Sequence, residues 1–240
     1  MIEEVIAREI EHEYYSEAEK LHIAVDCIIF GFDKEQINLL AYKRKHQPFA
    51  GDWSLLGTFV QKNEDMDSAA YRILEELTGR TNIFIEQLHA FGDVNRDSGN
   101  RVISVAYWAL IKIEDYDKES AGSRDANWFP IKDQIPDLVM DHNSMVNKAL
   151  DRLRTNAKYR PIGFELLPEK FTLPQLLKLY QEIYQRDLDD RNFRKKILSM
   201  DLLRKLEEKD KSTSKKGAFL YEFDREKYKE LAQRGFMFDL

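Results

Sequence analysis

Short apolar segments separated by polar turns fill the first 150 residues of this 240-residue chain. Residues 22–31 and 36–42 are rich in β-branched and aromatic side chains, and the turn 31–35 joins them, so they are predicted to be strands. Residues 82–91 and 102–113 have the same character, with a turn-rich loop, 92–100, between them. Residues 128–131 form a further short strand or corner. This spacing predicts a sheet.

Helical patterns lie between and after these strands. Residues 67–78 are predicted to be a helix, with Asp67 as its N-cap and Gly79 as its end. Residues 141–158 are predicted to be a second helix, and the first 20 residues a polar helix or arm. A loop over 44–57 leads into the first helix. Strands around one helix and a closing helix are typical of an α/β sandwich.

The pattern changes after residue 158. A break at 159–163 precedes a helix over 171–185, which begins with a capping-box pattern in which Gln175 follows Thr172 by three residues. A second helix, 191–200, is followed by a basic polar turn at 209–217 and a strand at 218–223. Helix, turn, basic helix and hairpin form the plan of a winged helix-turn-helix. We therefore divide the chain into domains at 1–150 and 151–240.

The charge is distributed unevenly between these domains. Residues 1–150 carry 16 Lys and Arg against 27 Asp and Glu, a net charge of −11, whereas residues 151–240 carry 21 against 16, a net charge of +5. The overall charge of −6 conceals the basic part, which is suited to a nucleic-acid partner. No apolar run is long enough to span a membrane, so a cytoplasmic protein is expected. Cys27 is expected to be buried, and one cysteine makes neither a disulfide framework nor a zinc site.

The predicted helix 67–78 carries most of a known motif. Glu64 and Arg72 have seven residues between them, and Gly79 lies seven beyond Arg72. This spacing resembles the Nudix box, in which three Glu side chains on one helix hold divalent ions against a pyrophosphate. In that register Thr58 stands at the glycine position, after Gly57. Ile73 and Leu77 replace two of the three carboxylates, so only Glu76 of that trio remains.

One carboxylate between two apolar side chains is a poor site for a hard cation. We therefore expect no catalytic residues, no bound metal and no cofactor, with Glu64, Arg72 and Glu76 as remnants of the box. Arg72 can pair with Glu75 and Glu76 along the helix. A working pyrophosphohydrolase acting on ADP-ribose or another nucleoside diphosphate sugar, with Glu64, Glu75 and Glu76 holding one ion, remains the alternative.

Further segments extend the resemblance over most of the chain, including 48–51, 53–57, 87–93, 166–173 and 192–196. Together they resemble the Nudix-related transcriptional regulators of bacteria. The resemblance implies a Nudix α/β/α sandwich followed by a winged helix, and a homodimer on a palindromic operator. It implies an effector that is ADP-ribose or a relative, or a pentose such as arabinose. Loss of the metal-binding acids favours a sugar effector without a metal.

The helix 191–200 has the composition of a DNA recognition helix. Phe193, Ile197 and Met200 share one face, and cationic residues project away from it. Arginine can contact guanine with two hydrogen bonds, asparagine can contact adenine, and lysine neutralises phosphate. The candidate DNA contacts are Thr172, Arg191, Asn192, Arg194, Lys195, Lys196, Lys215 and Lys216. The alternative is a solvated amphipathic helix with a cationic face.

Candidate effector contacts lie in the loops of the first domain, because a sugar site needs fixed donors and acceptors beside aromatic rings. The candidates are Lys43, Arg44, Phe49, Trp53, Asp93, Arg96, Asp97 and Tyr107. The structural alternative is an ion pair between Arg96 and Asp97, with Asp93 capping its loop. Asp141 and His142 are expected to be a helix N-cap and a packed histidine. A third overall function, an inert scaffold that only dimerises, also fits the sequence.

Overall fold

A computed structural model describes residues 17–79, 83–113, 125–132, 135–211 and 216–240. Most of the predicted N-terminal arm therefore lies outside the described residues. The first domain contains one sheet. Its strands are β1 (His22–Phe32), β2 (Ile37–Lys43), β3 (Trp53–Ser54), β4 (Leu56–Phe59), β5 (Phe84–Phe91), β6 (Val102–Lys112) and β7 (Ala126–Pro130).

The sheet order is β3-β2-β1-β6-β5, with β4 paired to β1 and β7 paired to β2. β1 and β6 run parallel along their whole length, whereas the other pairs are antiparallel. β3 falls within the stretch 44–57 that the sequence predicted as a loop, and β4 begins in it. Each is so short that it has no alternating pattern of its own, and it is a strand only because it pairs with β2 or β1.

Side chains of β1 point alternately to two apolar layers, as the pleat of a strand requires. Ile28 and Phe30 belong to the larger core, and Cys27 and Ile29 to the smaller. Cys27 is buried, as predicted, and burial raises the pKa of its thiol. Because β1 is covered on both faces, its sequence is almost continuously apolar.

Helix α1 (Met66–Thr78) covers the smaller layer and α2 (His142–Tyr159) covers the larger. The predicted N-cap of α1 was wrong by two residues. Asp65, not Asp67, accepts a hydrogen bond from the Ser68 backbone N–H, at 2.7 Å, and Asp67 lies in the first turn. The helix ends at Gly79, whose φ of 67° suits glycine, as predicted.

The second domain has the predicted order of elements. After a 3₁₀ turn, Ile162–Leu166, come β8 (Phe171–Thr172), α3 (Leu173–Tyr184), α4 (Asp190–Ser199), β9 (Leu203–Asp210), β10 (Ala218–Phe223) and α5 (Arg225–Gln233). The strands form a second sheet in the order β8-β10-β9. β9 and β10 are the hairpin of the wing. α5 was not predicted, and all its residues are at least partly exposed.

The predicted break at 159–163 enters the core at its end, whereas Tyr159 is exposed. Ile162, Gly163 and Phe164 are buried, and the ring of Phe164 stacks on that of Phe223 at 4.2 Å between centroids. The larger core continues from the first domain into the second. Among the described residues no helix is long and apolar enough to cross a membrane.

Candidate functional site

A cavity of about 430 Å³ opens at one end of the first sheet, beside the ends of β1, β2 and β4. Four of the predicted effector contacts line it: Lys43, Arg44, Arg96 and Asp97. Lys43 and Arg44 lie at the end of β2, and Arg96 and Asp97 lie in the loop between β5 and β6. The cavity is within the size range of small-molecule sites. The sequence therefore identified part of its wall.

Asp26 forms the floor of this cavity and was not predicted. Its Oδ2 accepts a hydrogen bond from the Ser104 hydroxyl at 2.6 Å, and Arg96 Nη2 lies 3.6 Å from the same oxygen. Gly57 packs against the carboxylate so closely that a Cβ atom there would overlap Asp26 Oδ1. One carboxylate in the otherwise apolar run of β1 was the available signal, because an unpaired charge is rarely buried.

Arg96 is held by Asp141 rather than by its neighbour in sequence. Its Nε and Nη2 donate to the two carboxylate oxygens of Asp141 at 3.0 and 2.7 Å, a bidentate pair. The alternative of an Arg96–Asp97 ion pair was therefore wrong, since Asp97 accepts from the Gly99 N–H. Asp141 occupies the N-cap position of α2, but its side chain makes no capping hydrogen bond.

His142 is buried at the first position of α2, with 2% of its surface exposed, as the interpretation of a packed histidine predicted. Its Nδ1 accepts a hydrogen bond from the Leu55 backbone N–H at 3.1 Å. Its Nε2 lies 3.7 Å from Asp26 Oδ1. Burial lowers the pKa of the imidazole, which is therefore neutral near pH 7.

The other four predicted effector contacts lie outside the lining of the cavity. Phe49 is exposed on its loop, and Trp53 packs edge-on against Phe129. Asp93 accepts from the Asn95 N–H at 2.8 Å, as the loop-capping alternative predicted. Tyr107 lies in the smaller core, where its hydroxyl donates to Asp67. Alternation along β6 places Tyr107 under α1 and outside the cavity, which does not fit the predicted effector contact.

The remnant of the box is an ion-pair cluster. Arg72 donates to both carboxylate oxygens of Glu64 at 2.9 and 2.7 Å, and it lies 3.5 Å from Glu76. The prediction that Arg72 pairs with Glu76 is confirmed, whereas Glu64 takes the place expected for Glu75. The hydrogen bond from Arg72 lowers the pKa of Glu64 to about 2. The guanidinium thus occupies the oxygens that a cation would need.

Ile73, at one of the replaced carboxylate positions, is 3% exposed and packs in the smaller core. The side chain of Leu77, at the other, lies outside the described residues. Within the described ranges, no three His, Cys, Asp or Glu side chains are grouped so that they could hold a metal ion.

In the second domain, α4 turns its apolar face inward. Phe193 and Ile197 are buried, and Met200 packs against the same core. Arg191, Asn192 and Lys195 are exposed. The remaining two candidates on the helix are paired: Arg194 Nε donates to Asp190 at 2.6 Å, and Lys196 Nζ to Asp239 at 3.2 Å. The exposed face is therefore cationic but partly compensated.

Thr172 is buried and caps α3, where it forms a complete capping box with Gln175. This role accounts for the residue, and its burial does not fit the predicted DNA contact. Lys215 lies outside the described residues, and Lys216 is exposed at the turn of the wing. The wing also carries a pair of lysines that the sequence did not single out: Lys205 and Lys209 lie over the ring of Phe219 at 3.8 and 4.4 Å.

Two family models match separate parts of the chain. Residues 20–149 match the NUDIX domain family, and residues 163–223 match the NrtR DNA-binding winged helix domain. The chain belongs to the NUDIX family. It has 29% identity over 209 residues to the ADPR responsive transcriptional repressor NtrR of Acinetobacter baylyi, covering 86% of this chain and 83% of the relative.

Two solved structures of Shewanella oneidensis NrtR are similar to this NUDIX family member. The crystal structure of that protein complexed with a 27mer DNA has a TM-score of 0.75 and 28% identity, over 84% of this chain and 93% of the other. Its NUDIX domain complexed with ADP ribose has a TM-score of 0.53 and 27% identity, over 61% and 97%. The predicted fold class and the predicted kinship with Nudix-related transcriptional regulators are confirmed.

Proposed function

We propose that this protein is a DNA-binding transcriptional repressor that senses a small effector in the cavity of its NUDIX domain. The observation that carries this proposal is the arrangement of α4. It is the second helix of a helix-turn-helix, it buries Phe193 and Ile197, and it exposes Arg191, Asn192 and Lys195. A similar protein has been solved with DNA bound.

The DNA contacts that we propose fall into two groups. Arg191, Asn192 and Lys195 are on the exposed side of a recognition helix, where side chains reach base edges in the major groove. Arg194 and Lys196 can also contact DNA if they release their ion pairs with Asp190 and Asp239 and bind phosphate groups instead. Lys216, at the turn of the wing, and Lys215, its neighbour in the sequence, add phosphate contacts that give salt-dependent affinity without sequence preference.

The effector that we propose carries a pentose, either as ADP-ribose or as a free sugar such as arabinose. The name of the Acinetobacter baylyi relative and the ADP ribose complex of the Shewanella oneidensis domain favour the nucleotide. Lys43, Arg44 and Arg96 in the cavity wall supply cations for a diphosphate. The buried Ile73 and the Arg72–Glu64 pair favour binding without a metal, which a free sugar would permit.

We also propose that the chain is not a hydrolase, that it acts as a homodimer on a palindromic site, and that its domains divide near residue 150. The relatives that are regulators, rather than enzymes, support the first of these. Turnover of ADP-ribose with Mg²⁺ or Mn²⁺, abolished by Glu76→Gln, would restore the pyrophosphohydrolase alternative. Light scattering of the free and DNA-bound protein measures the dimer.

The experiment begins by selecting duplexes from a random pool on the purified full-length protein. Anisotropy titrations then measure the affinity for the selected duplex at several salt concentrations, with and without ADP-ribose or L-arabinose. We expect tight, salt-sensitive binding that one of the two compounds weakens. Arg191→Ala with Lys195→Ala should lose at least tenfold in affinity while the matched variant Lys229→Ala, on α5, does not. Unchanged binding by the double variant would show that α4 is not the recognition helix.

A further inference from the structure

The proton position on His142 follows from one hydrogen bond. The Leu55 backbone N–H can only donate, so His142 Nδ1, at 3.1 Å, must accept. In a neutral imidazole the other nitrogen, Nε2, then carries the proton. The Ser54 hydroxyl, 3.4 Å from Nδ1, can instead donate to the Leu55 carbonyl at 3.0 Å and does not change this assignment. The Nε2–H faces Asp26.

Asp26 has a hydrogen-bond acceptor, Oδ1, close to the Nε2–H of His142. Its Oδ2 is engaged by Ser104 and lies near Arg96, whereas no residue within the described ranges donates a hydrogen bond to its Oδ1. His142 Nε2 and Asp26 Oδ1 are 3.7 Å apart, which is too far for a direct hydrogen bond. Both residues line the cavity. The missing Cβ of Gly57 leaves this corner of the floor open.

We infer that Asp26 Oδ1 and His142 Nε2 together bind one hydroxyl group of a sugar in the cavity, with the histidine donating and the aspartate accepting. This inference rests on the proposed effector function and assigns its ligand chemistry. A hydroxyl is both donor and acceptor, so one oxygen satisfies both atoms. An oxygen about 2.8 Å from each fits a 3.7 Å separation if it sits to the cavity side of the line between them.

A phosphate does not suit this corner. A fully ionised phosphate has no hydrogen to donate to Asp26. Its negative charge would also lie close to the negative charge of Asp26. Of the cations that line the cavity, Arg96 is already held by the carboxylate of Asp141, whereas Lys43 and Arg44 lie away from this corner, on β2 and the loop after it. The cavity is therefore divided into a hydroxyl-binding floor and a cationic wall. ADP-ribose would use both parts, whereas a free pentose would use only the floor.

The test combines a substitution in the protein with the removal of single hydroxyl groups from the ligand. Calorimetry measures the binding of ADP-ribose, L-arabinose and D-ribose to the wild-type protein, and then of monodeoxy analogues of whichever sugar binds. Asp26→Asn keeps the size of the side chain but loses its charge, and Asp151→Asn, on the exposed side of α2, is the matched control. Inorganic pyrophosphate serves as a probe of the cationic wall alone.

We expect one deoxy analogue to lose at least tenfold in affinity for the wild type but less than threefold for Asp26→Asn. That variant should bind the parent sugar at least tenfold more weakly than the wild type does, and it should bind pyrophosphate equally well or more tightly. If Asp26→Asn lowers the affinity for the parent sugar and for every deoxy analogue by the same factor, Asp26 acts only through the structure of the cavity. The inference is then overturned. Failure of all three sugars to bind the wild type overturns it as well.

A measurement on the wild-type protein alone keeps the inference testable if Asp26→Asn does not fold. Long-range ¹H–¹⁵N spectra should show His142 as the Nε2–H tautomer, with its Nε2 resonance shifted when the sugar binds. An Nδ1–H tautomer, or an Nε2 signal that is insensitive to a saturating sugar, contradicts the assignment. Selective binding of duplex DNA in the same preparation would leave the proposed regulator standing, so the two failures are distinguishable.

Discussion

Lys132 Nζ, in the loop after β7, lies 2.6 Å from Glu182 Oε1 on α3 and ties the two domains together. Glu182 is only 1% exposed, and its second cation, Lys178, is 3.1 Å away on the same helix. Its other oxygen, Oε2, is buried, and none of the residues that the structure describes forms a hydrogen bond with it. A buried carboxylate with an unpaired oxygen costs stability unless nearby cations offset it. The conformation of the domain junction therefore depends on Lys132.

This ion pair predicts a measurable coupling energy. In a double-mutant cycle with Lys132→Met and Glu182→Gln, we expect an interaction of about 1–3 kcal/mol, because the carboxylate is desolvated although the lysine is half exposed. The matched pair Lys229–Glu226, 2.8 Å apart but exposed on α5, should give at most about 0.5 kcal/mol. Urea unfolding measures both. Equal couplings in the two pairs would mean that burial adds nothing at Glu182.

The position of Lys132 also relates the junction to the cavity. β7 pairs with β2 from Asn38 to Tyr42, and the residues after Tyr42 form the cavity wall. His142, which lines the cavity, begins α2, and near the far end of that helix the Lys158 carbonyl accepts a hydrogen bond from the Leu240 backbone N–H. The paired strands β2 and β7 and the helix α2 therefore each connect the cavity to the second domain. A ligand that favours one arrangement of the cavity can shift the other end only through such packed elements.

Local patterns predicted the second domain well. The capping box of Thr172 and Gln175, the inward face of α4 and the strand over 218–223 each depend on residues close together in sequence. Such features follow from helix caps and the 3.6-residue period alone. The same capping hydroxyl is turned into the fold, so the burial of Thr172 does not fit its predicted contact with DNA.

Long-range pairing limited the prediction of the cavity. Arg96 and its partner Asp141 are 45 residues apart in the sequence, and His142 and its partner Leu55 are 87 apart. No local sequence pattern predicts contacts over such separations. The sequence marked Arg96 as polar and on a loop, so its neighbour Asp97 was the natural partner to consider. Asp26 was hidden because only the pairing of β1 with β6 reveals that Ser104 lies beside it.

Gly57 is predicted to be intolerant of any side chain. Gly57→Ala would overlap Asp26 Oδ1 and bring the new Cβ within 3.2 Å of the Val25 carbonyl oxygen, so overpacking should cost about 1–3 kcal/mol in the free energy of unfolding. Gly92→Ala is the control, because the nearest atom to its Cβ is 3.9 Å away. It should change stability by no more than about 1 kcal/mol. Adding Asp26→Ala to Gly57→Ala should recover part of the loss, and strictly additive effects would place the clash elsewhere.

The buried imidazole of His142 should make stability depend on pH. Its pKa is lowered in the folded protein, so between that value and about 6.5 the unfolded chain binds more protons, and stability falls as the pH drops. The loss for one group is at most about 1.4 kcal/mol per pH unit. Urea titrations at pH 7.5, 6.5 and 5.5 should show a steeper decline for wild type than for His142→Gln, and no such difference for exposed His89→Gln. Working above pH 5 avoids the titration of Glu64, whose lowered pKa of about 2 affects stability only at lower pH.

Ile73 stands at one of the replaced carboxylate positions, and its burial predicts that it does not tolerate a charge. Ile73→Glu would put a charge into the smaller core, where Ile73 is 3% exposed, and should lower the free energy of unfolding by about 3 kcal/mol or more. The control, Ile73→Val, should cost about 0.5–1.5 kcal/mol.

Adding Mg²⁺ distinguishes a simple burial penalty from a restored ion site in this variant. Because Arg72 holds Glu64 and lies beside Glu76, we expect no Mg²⁺-dependent rise in its melting temperature. A rise that appears in Ile73→Glu but not in Ile73→Val would show that the remaining acids still form a metal site once a second carboxylate is supplied. It would also bring the pyrophosphohydrolase alternative back into consideration.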